Sequence, residues 1–247
     1  MGDAEISAVR AARLLADFAG RDGSDARVAE AVATDRALSY HETVDFRKTP
    51  LAYVPAFAAL LGLGVLESGR GLRFLHLGAS HGVFCRFLQE LPGTRLALAL
   101  DLSVSALRHG RRWGLRAGLE ADAVTLAACR SGWADAALAE SLYVPGYWSR
   151  AAIGRSIAGV ARVLRPGGLL LVQEWGFDVA RDLACELADA GMLEVRRMTA
   201  CAPTQQGERD VTCFAFRSGP HAGAAQGAGL AAAGAPCGPD PGCQPGE

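Results

Sequence analysis

Five short apolar runs, at residues 73–77, 96–100, 119–121, 135–139 and 169–173, alternate with stretches of helical spacing, and each run ends in small or acidic residues. Strands that are apolar throughout must be covered on both faces, which requires a parallel sheet whose crossover helices supply the cover. The pattern therefore predicts a doubly wound α/β fold. The end of the chain departs from it. A helix over 177–190 stops at Gly191, a residue suited to closing a helix in the left-handed conformation, and apolar runs at 193–199 and 211–217 flank a polar turn. These two predict a C-terminal antiparallel hairpin that completes a mostly parallel, seven-stranded sheet.

Upstream of the first run, Ile6, Val9, Leu14, Phe18, Val28 and Val32 follow helical spacing, interrupted by turn residues at 20–24, which predicts a pair of helices. Residues 38–48 contain Tyr40, His41 and Phe46 without a period and read as a connecting loop or lid, and a further apolar helix is expected over 52–66. With half of its 247 residues hydrophobic, the chain has material for one full-sized core. The organisation read from these segments is a helical N-terminal extension or lid at 1–50, an α/β domain at 51–217 and a tail at 218–247. That tail is Gly, Ala and Pro with few bulky apolar side chains, so it cannot offset its ordering entropy and is expected to be disordered.

Composition narrows the partners. A net charge of −1 supplies no attraction for phosphate polymers, so no nucleic-acid substrate is expected. The one dense basic run, Arg108 to Arg112 followed by Trp113 and Arg116, falls on a predicted helix and reads as its solvated face. Cys85, Cys129, Cys185, Cys201, Cys213, Cys237 and Cys243 lack the paired spacing of a zinc site or disulfide framework. No metal is expected, and the thiols read as reduced. Asp3 and Glu5 precede any apolar run, and Arg10, Arg13 and Asp17 interrupt the first helix, which argues against a secretory signal or a membrane span. A cytoplasmic protein without membrane partners is the expectation, and nothing in the sequence sets an oligomeric state.

Chemistry concentrates at Phe74-Leu75-His76-Leu77-Gly78-Ala79-Ser80-His81-Gly82, a strand running through a glycine-containing turn into a helix. Glycines there let the backbone turn sharply and let a ligand approach the helix N-terminus. Asp101 ends the second strand at the spacing where an acid can accept both hydroxyls of a ribose, and Asp122 ends the third strand, where a carboxylate can accept from an adenine amino group. A glycine turn and two acids on three consecutive strand ends describe one nucleoside site.

From residue 72 to 217 the chain resembles the class I S-adenosylmethionine-dependent methyltransferases. The matching elements are the turn from Gly78 to Gly82, Asp101, the Ala121-Asp122-Ala123 step, Trp133-Ala134-Asp135 leading into the fourth strand, Val163-Leu164-Arg165-Pro166-Gly167-Gly168-Leu169-Leu170, and Ala188-Asp189-Ala190-Gly191-Met192 before the hairpin. The resemblance implies S-adenosylmethionine as cofactor. Gly78, Ser80 and Gly82 would line its methionine part, with Asp101 on the ribose and Leu102 packed on the adenine. Asp122 and Ala123 would meet the adenine amino edge, and Glu140 would sit beside the sulfonium.

Two positions differ from the family pattern. His76 stands where an acid is usual and would accept one hydrogen bond from the cofactor's ammonium without a countercharge, and Ser80 stands at the usual middle glycine. Both motivate an alternative in which the fold serves as a catalytically degenerate binding module. The segment from Glu140 to Trp148 lies where the acceptor would enter and lacks the Asn-Pro-Pro-Tyr type of sequence, which points to a small-molecule substrate. Tyr143 and Tyr147 are candidate substrate contacts, with packing against neighbouring helices as the alternative, and His41 is a candidate group closing over the site. Gly78 to Gly82 also satisfies the G-x-S-x-G elbow of serine hydrolases, with Ser80 as nucleophile, but the only later histidines are His109 and His221, and helices precede the elbow where a hydrolase has strands. A nicotinamide dehydrogenase would need a third glycine in the turn.

Overall fold

The structure is a computed structural model that describes residues 3–34, 49–67, 71–144, 147–174, 178–204 and 207–219. The expected lid at 38–48 with His41, the tail beyond Gly219, and Cys237 and Cys243 lie outside the described residues.

Helices α1 (Asp3–Asp22) and α2 (Ser24–Thr34) meet at Gly23, which turns the chain at a φ of 59°. A 3-10 turn, Pro50–Tyr53, leads into α3 (Val54–Gly62), with Pro50 and Pro55 at first-turn positions where no amide donor is needed. This helix ends earlier than the apolar run predicts, because Gly64 reverses the chain at a φ of 65°. There follow β1 (Leu72–Leu77), α4 (Val83–Glu90), β2 (Thr94–Asp101), α5 (Val104–Arg112), β3 (Gly118–Glu120), β4 (Ala134–Glu140), α6 (Arg150–Val163), β5 (Leu164–Glu174), the short α7 (Val179–Asp182) and α8 (Ala184–Asp189), β6 (Met192–Thr204) and β7 (Gly207–Ser218).

The strands form one seven-stranded sheet in the order β3-β2-β1-β4-β5-β7-β6, parallel except for β7, which is antiparallel to both neighbours. Three further elements differ from expectation. β3 ends at Glu120, so Asp122 stands two residues beyond the strand. β5 begins directly from α6 at Leu164, five residues before the expected run, and Pro166-Gly167 lies within it where the register with β4 shifts between Ala134 and Ala136. The helix expected over 177–190 is two short pieces separated at Leu183. Gly191 follows α8 in the left-handed conformation, as a C-terminal stop requires.

Alternation along the strands divides the core. Phe74, Leu138, Leu169 and Leu171 face α1, α3 and α4, whereas Leu75, Leu77, Leu170 and Val172 face α6 to α8. α1 belongs to the first of these layers through Ala11, Leu15 and Phe18, all buried, with Phe18 edge-on to Phe87 at 5.5 Å. Its last residue, Asp22, pairs with Arg86 of α4 almost entirely out of water. α2 packs separately, with Val28 and Ala31 against Ala106 and Trp113. On α5, Arg108, Arg111 and Arg112 are exposed while His109 and Gly110 are buried. Gly110 admits no side chain, since a Cβ there would lie 2.4 Å from the His81 carbonyl oxygen, and α5 therefore presses directly on the turn that follows β1.

The strand order reverses direction at β1, with β2 on one side and β4 on the other. Connections leaving these strands diverge to opposite faces and open a crevice at their C-terminal ends, the usual ligand position of open α/β sheets.

Candidate functional site

The turn after β1 holds three residues in the left-handed region: Gly78 at φ 63°, Ser80 at 51° and Gly82 at 71°. Gly82 is required sterically as well, because a Cβ would come within 2.9 Å of Leu115 and 3.1 Å of Ala99. Three bonds fix the loop: Ala79 N–H to Leu100 O at 3.0 Å, Gly82 N–H to Ala79 O at 2.8 Å, and Ser80 N–H to Asp101 Oδ2 at 2.7 Å. Asp101 also accepts from Ser103 N–H through Oδ1 at 2.8 Å. The N-cap of α5 is Ser103, whose hydroxyl accepts from Ala106 N–H at 3.0 Å, so Asp101 is not occupied in capping that helix. A carboxylate has room for about four hydrogen bonds.

Ser80 carries strain. A non-glycine residue in this conformation costs about 1–2 kcal/mol, and its buried hydroxyl has no hydrogen-bond partner among the described residues. Ser80→Gly, which adds unfolded-state entropy of about 0.5–1 kcal/mol, is therefore expected to stabilise the protein by a net ~1 kcal/mol. Urea unfolding of the two proteins checks this, and a loss of stability would mean that the hydroxyl has a structural partner.

The β2 and β3 exits are adjacent. Asp101 pairs with Glu120, and its carbonyl accepts from Ala121 N–H at 3.1 Å. Asp122 follows in the loop, where Oδ1 accepts from Val124 N–H at 2.8 Å in an Asx turn. Ala123 is buried and its carbonyl accepts from Ser156 Oγ at 2.7 Å. Leu102, by contrast, is 69% exposed, an apolar side chain left in water beside the Asp101 carboxylate.

Across the crevice, Glu140 closes β4. Leu77 pairs with Ala139, which sets Gly78 and Glu140 at matching exits. Glu140 is buried, accepts from Ser141 Oγ at 3.2 Å and lies 3.5 Å from Tyr53 Oη, the outer limit of a hydrogen bond. Ser141, like Ser80, is a non-glycine residue with positive φ, 52°. Tyr53 stacks on Phe84 at 4.8 Å and meets His76 edge-on at 5.6 Å. Neither Tyr53 nor Ser141 stands out in the sequence, since Tyr53 falls inside an apolar helical run; an aromatic with a polar tip just after Pro50 is the only signal it leaves.

Two of the candidate contacts are fully buried. His76 shares the β1 face of Phe74 and is fully buried, with Tyr53, Phe74 and Phe84 around its ring. Tyr143 is also fully buried, its hydroxyl against Ser156 Oγ at 3.1 Å and its N–H donating to Glu174 at 3.2 Å, so the packing alternative describes it. Burial, opposed by the Ser156 hydrogen bond, holds its phenol well above the ordinary value, which removes it as a base near neutral pH. Tyr147 is exposed beyond β4, and His41 is outside the described residues.

No group of His, Cys, Asp or Glu among the described residues is arranged to hold a metal ion. Burial pushes the Cys85, Cys129 and Cys213 thiols up, away from nucleophilic thiolates. No base is placed on Ser80 Oγ among the described residues, and the adjacent His81 turns its ring onto Trp113 at 5.1 Å, contrary to a hydrolase elbow. No described helix is long and apolar enough to cross a membrane.

No family model matches the sequence, and no curated protein matches it. Solved structures do. The 1,6-didemethyltoxoflavin-N1-methyltransferase of Burkholderia thailandensis, crystallised with 1,6-didemethyltoxoflavin and S-adenosylhomocysteine, is similar with a TM-score of 0.54 and 22% identity, covering 78% of this chain and 89% of that one. A sarcosine dimethylglycine methyltransferase assignment from Galdieria sulphuraria gives 0.52 at 14% identity over 70% and 88% of the two chains. An S-adenosylmethionine-dependent methyltransferase structure from Methanosarcina mazei gives 0.51 at 14% over 59% and 92%. At these identities the likeness is one of architecture, and with the strand order and the paired turn and acid already described it leads to one statement: the chain has the fold of the class I S-adenosylmethionine-dependent methyltransferases.

Proposed function

We propose that the crevice between β1 and β4 binds S-adenosylmethionine and that the chain transfers its methyl group to a small-molecule acceptor. The observation that carries this is the Asp101 carboxylate, at the end of β2, bonded to the Ser80 amide of the β1 turn at the point where the sheet reverses direction. The residues fit such a cofactor. Gly78 keeps backbone bare below Leu142, where a Cβ would come within 3.2 Å of its side chain, and the buried Ser80 hydroxyl is available to a polar ligand group.

In this reading Asp101 takes the ribose hydroxyls, Leu102 covers the adenine, and Asp122 with Ala123 meets the adenine edge. Gly78, Ser80 and Gly82 line the methionine part. When bound, the cofactor supplies a methyl group on a sulfonium that is already strongly electrophilic. The protein's part is then to align the acceptor with that methyl and keep water out, which needs no general base. In this reading 51–217 is the catalytic domain, and α1 and α2 belong to the segment that precedes it. A metabolite-sized acceptor agrees with the balanced charge and with the structural neighbour crystallised with 1,6-didemethyltoxoflavin.

Titration calorimetry tests the cofactor. S-adenosylhomocysteine should bind and NADH should not, and absence of S-adenosylhomocysteine binding at millimolar concentration would refute the assignment. The enclosed His76 favours one second reading, a methyltransferase-like module that binds without catalysis. Binding of S-adenosylhomocysteine together with no methyl transfer to a broad metabolite panel would favour that module.

A further inference from the structure

The acid expected on β1 is a histidine here, and the structure encloses that histidine in an aromatic group. Its β1 face is the face on which the next strand carries a carboxylate. His76 pairs with Leu138 of β4, and Glu140, two residues on, points the same way at the exit matching Gly78. Glu140 is held there by Ser141 and by Tyr53, and Tyr53 is itself fixed flat on Phe84. A largely buried carboxylate at the exit matching Gly78 is suited to a compact cation, and desolvation strengthens such a pairing.

Resting on the cofactor reading above, we infer that Glu140 supplies the countercharge to the cofactor's α-ammonium that β1 lacks, and that Tyr53 is the positioning residue for it. The countercharge has moved one strand over, from β1 to β4. His76 then serves a different purpose, filling the aromatic layer that fixes Tyr53.

The test separates the amino group from the rest of the ligand. Binding of S-adenosylhomocysteine, of its deaminated analogue and of 5′-methylthioadenosine is measured by calorimetry on the wild-type protein, Glu140→Gln and Tyr53→Phe. Glu140→Gln should weaken S-adenosylhomocysteine at least tenfold and leave the two ammonium-free ligands within twofold. Tyr53→Phe should show the same selectivity with a smaller loss, about threefold. The wild-type protein should itself bind the deaminated analogue at least tenfold more weakly than S-adenosylhomocysteine, a comparison that needs no variant to fold. Equal weakening of all three ligands in Glu140→Gln, or unchanged S-adenosylhomocysteine affinity, would overturn the inference while leaving the cofactor reading intact. If the wild-type protein bound neither S-adenosylhomocysteine nor 5′-methylthioadenosine, the cofactor reading itself would fall, and this inference with it.

Discussion

Asp101→Ala is expected to weaken S-adenosylhomocysteine binding at least tenfold, and to lower stability as well. Both effects follow from one carboxylate with two sets of partners. Toward the ligand it is the proposed ribose acceptor, and a hydrogen bond to a charged group contributes about 1.5–3 kcal/mol, where a tenfold change in affinity needs ~1.4 kcal/mol. Toward the protein it accepts from the Ser80 and Ser103 amides, which alanine leaves without that acceptor. Losing both should cost roughly 2–4 kcal/mol after partial replacement by water. Asn is no neutral substitute, because its NH2 must turn a donor toward one of two amide donors; Asp101→Asn should fall between alanine and wild type in stability. Calorimetry and urea unfolding read the two effects separately. A folded Asp101→Ala protein with unchanged S-adenosylhomocysteine affinity would remove the basis of the site assignment.

The second large effect lies far from the crevice. Asp22→Ala should destabilise the protein by about 3–5 kcal/mol, the usual consequence of stranding one member of a buried ion pair. The Asp22 and Arg86 side chains are only 8% and 3% exposed, and Arg86 also donates to the Trp113 carbonyl at 3.2 Å. Burial lowers the guanidinium's pKa and the nearby Asp22 carboxylate opposes the shift, yet arginine stays charged throughout the accessible range. Without Asp22, that charge faces an apolar layer. The double variant Asp22→Ala/Arg86→Met should recover most of the loss, since removing both charges also removes their desolvation cost. Urea unfolding at neutral pH measures all three proteins. A single-variant loss below about 1 kcal/mol would show that water reaches Arg86.

Much of the crevice is legible in the sequence because it is local. Gly78, Gly82 and Asp101 follow strands whose apolar runs are visible, and a turn that must be left-handed selects glycine within a few residues. Ser80 shows the limit of that logic, since it adopts the same conformation without being glycine. Tyr53 is not legible. It lies 87 residues from Glu140, and only the packing of α3 across the sheet brings the two together. Gln173 is similar: its side chain bonds Ala56 N–H at 3.2 Å and Ala52 O at 2.9 Å, tying the start of α3 to β5 across more than a hundred residues. Asp22 carries a sequence signal that becomes readable only beside the structure, because an acid at a helix C-terminus opposes the helix dipole and calls for a compensating cation elsewhere.

By itself, the sequence determined the alternation of strands and helices, the closing hairpin, and the glycine turn followed by an acid one strand later. Each of these is written in spacing that neighbouring residues enforce through backbone geometry and the need to cover an apolar strand on both faces. Tertiary structure alone decided which face His76 and Tyr143 join, that Asp22 and Arg86 meet in the interior, and that Glu140 stands beside Gly78 with Tyr53 over it. Those outcomes depend on strand order and on how α1 and α3 lie across the sheet. They are contacts between distant segments, where many arrangements satisfy the local pattern and packing of the whole core selects one.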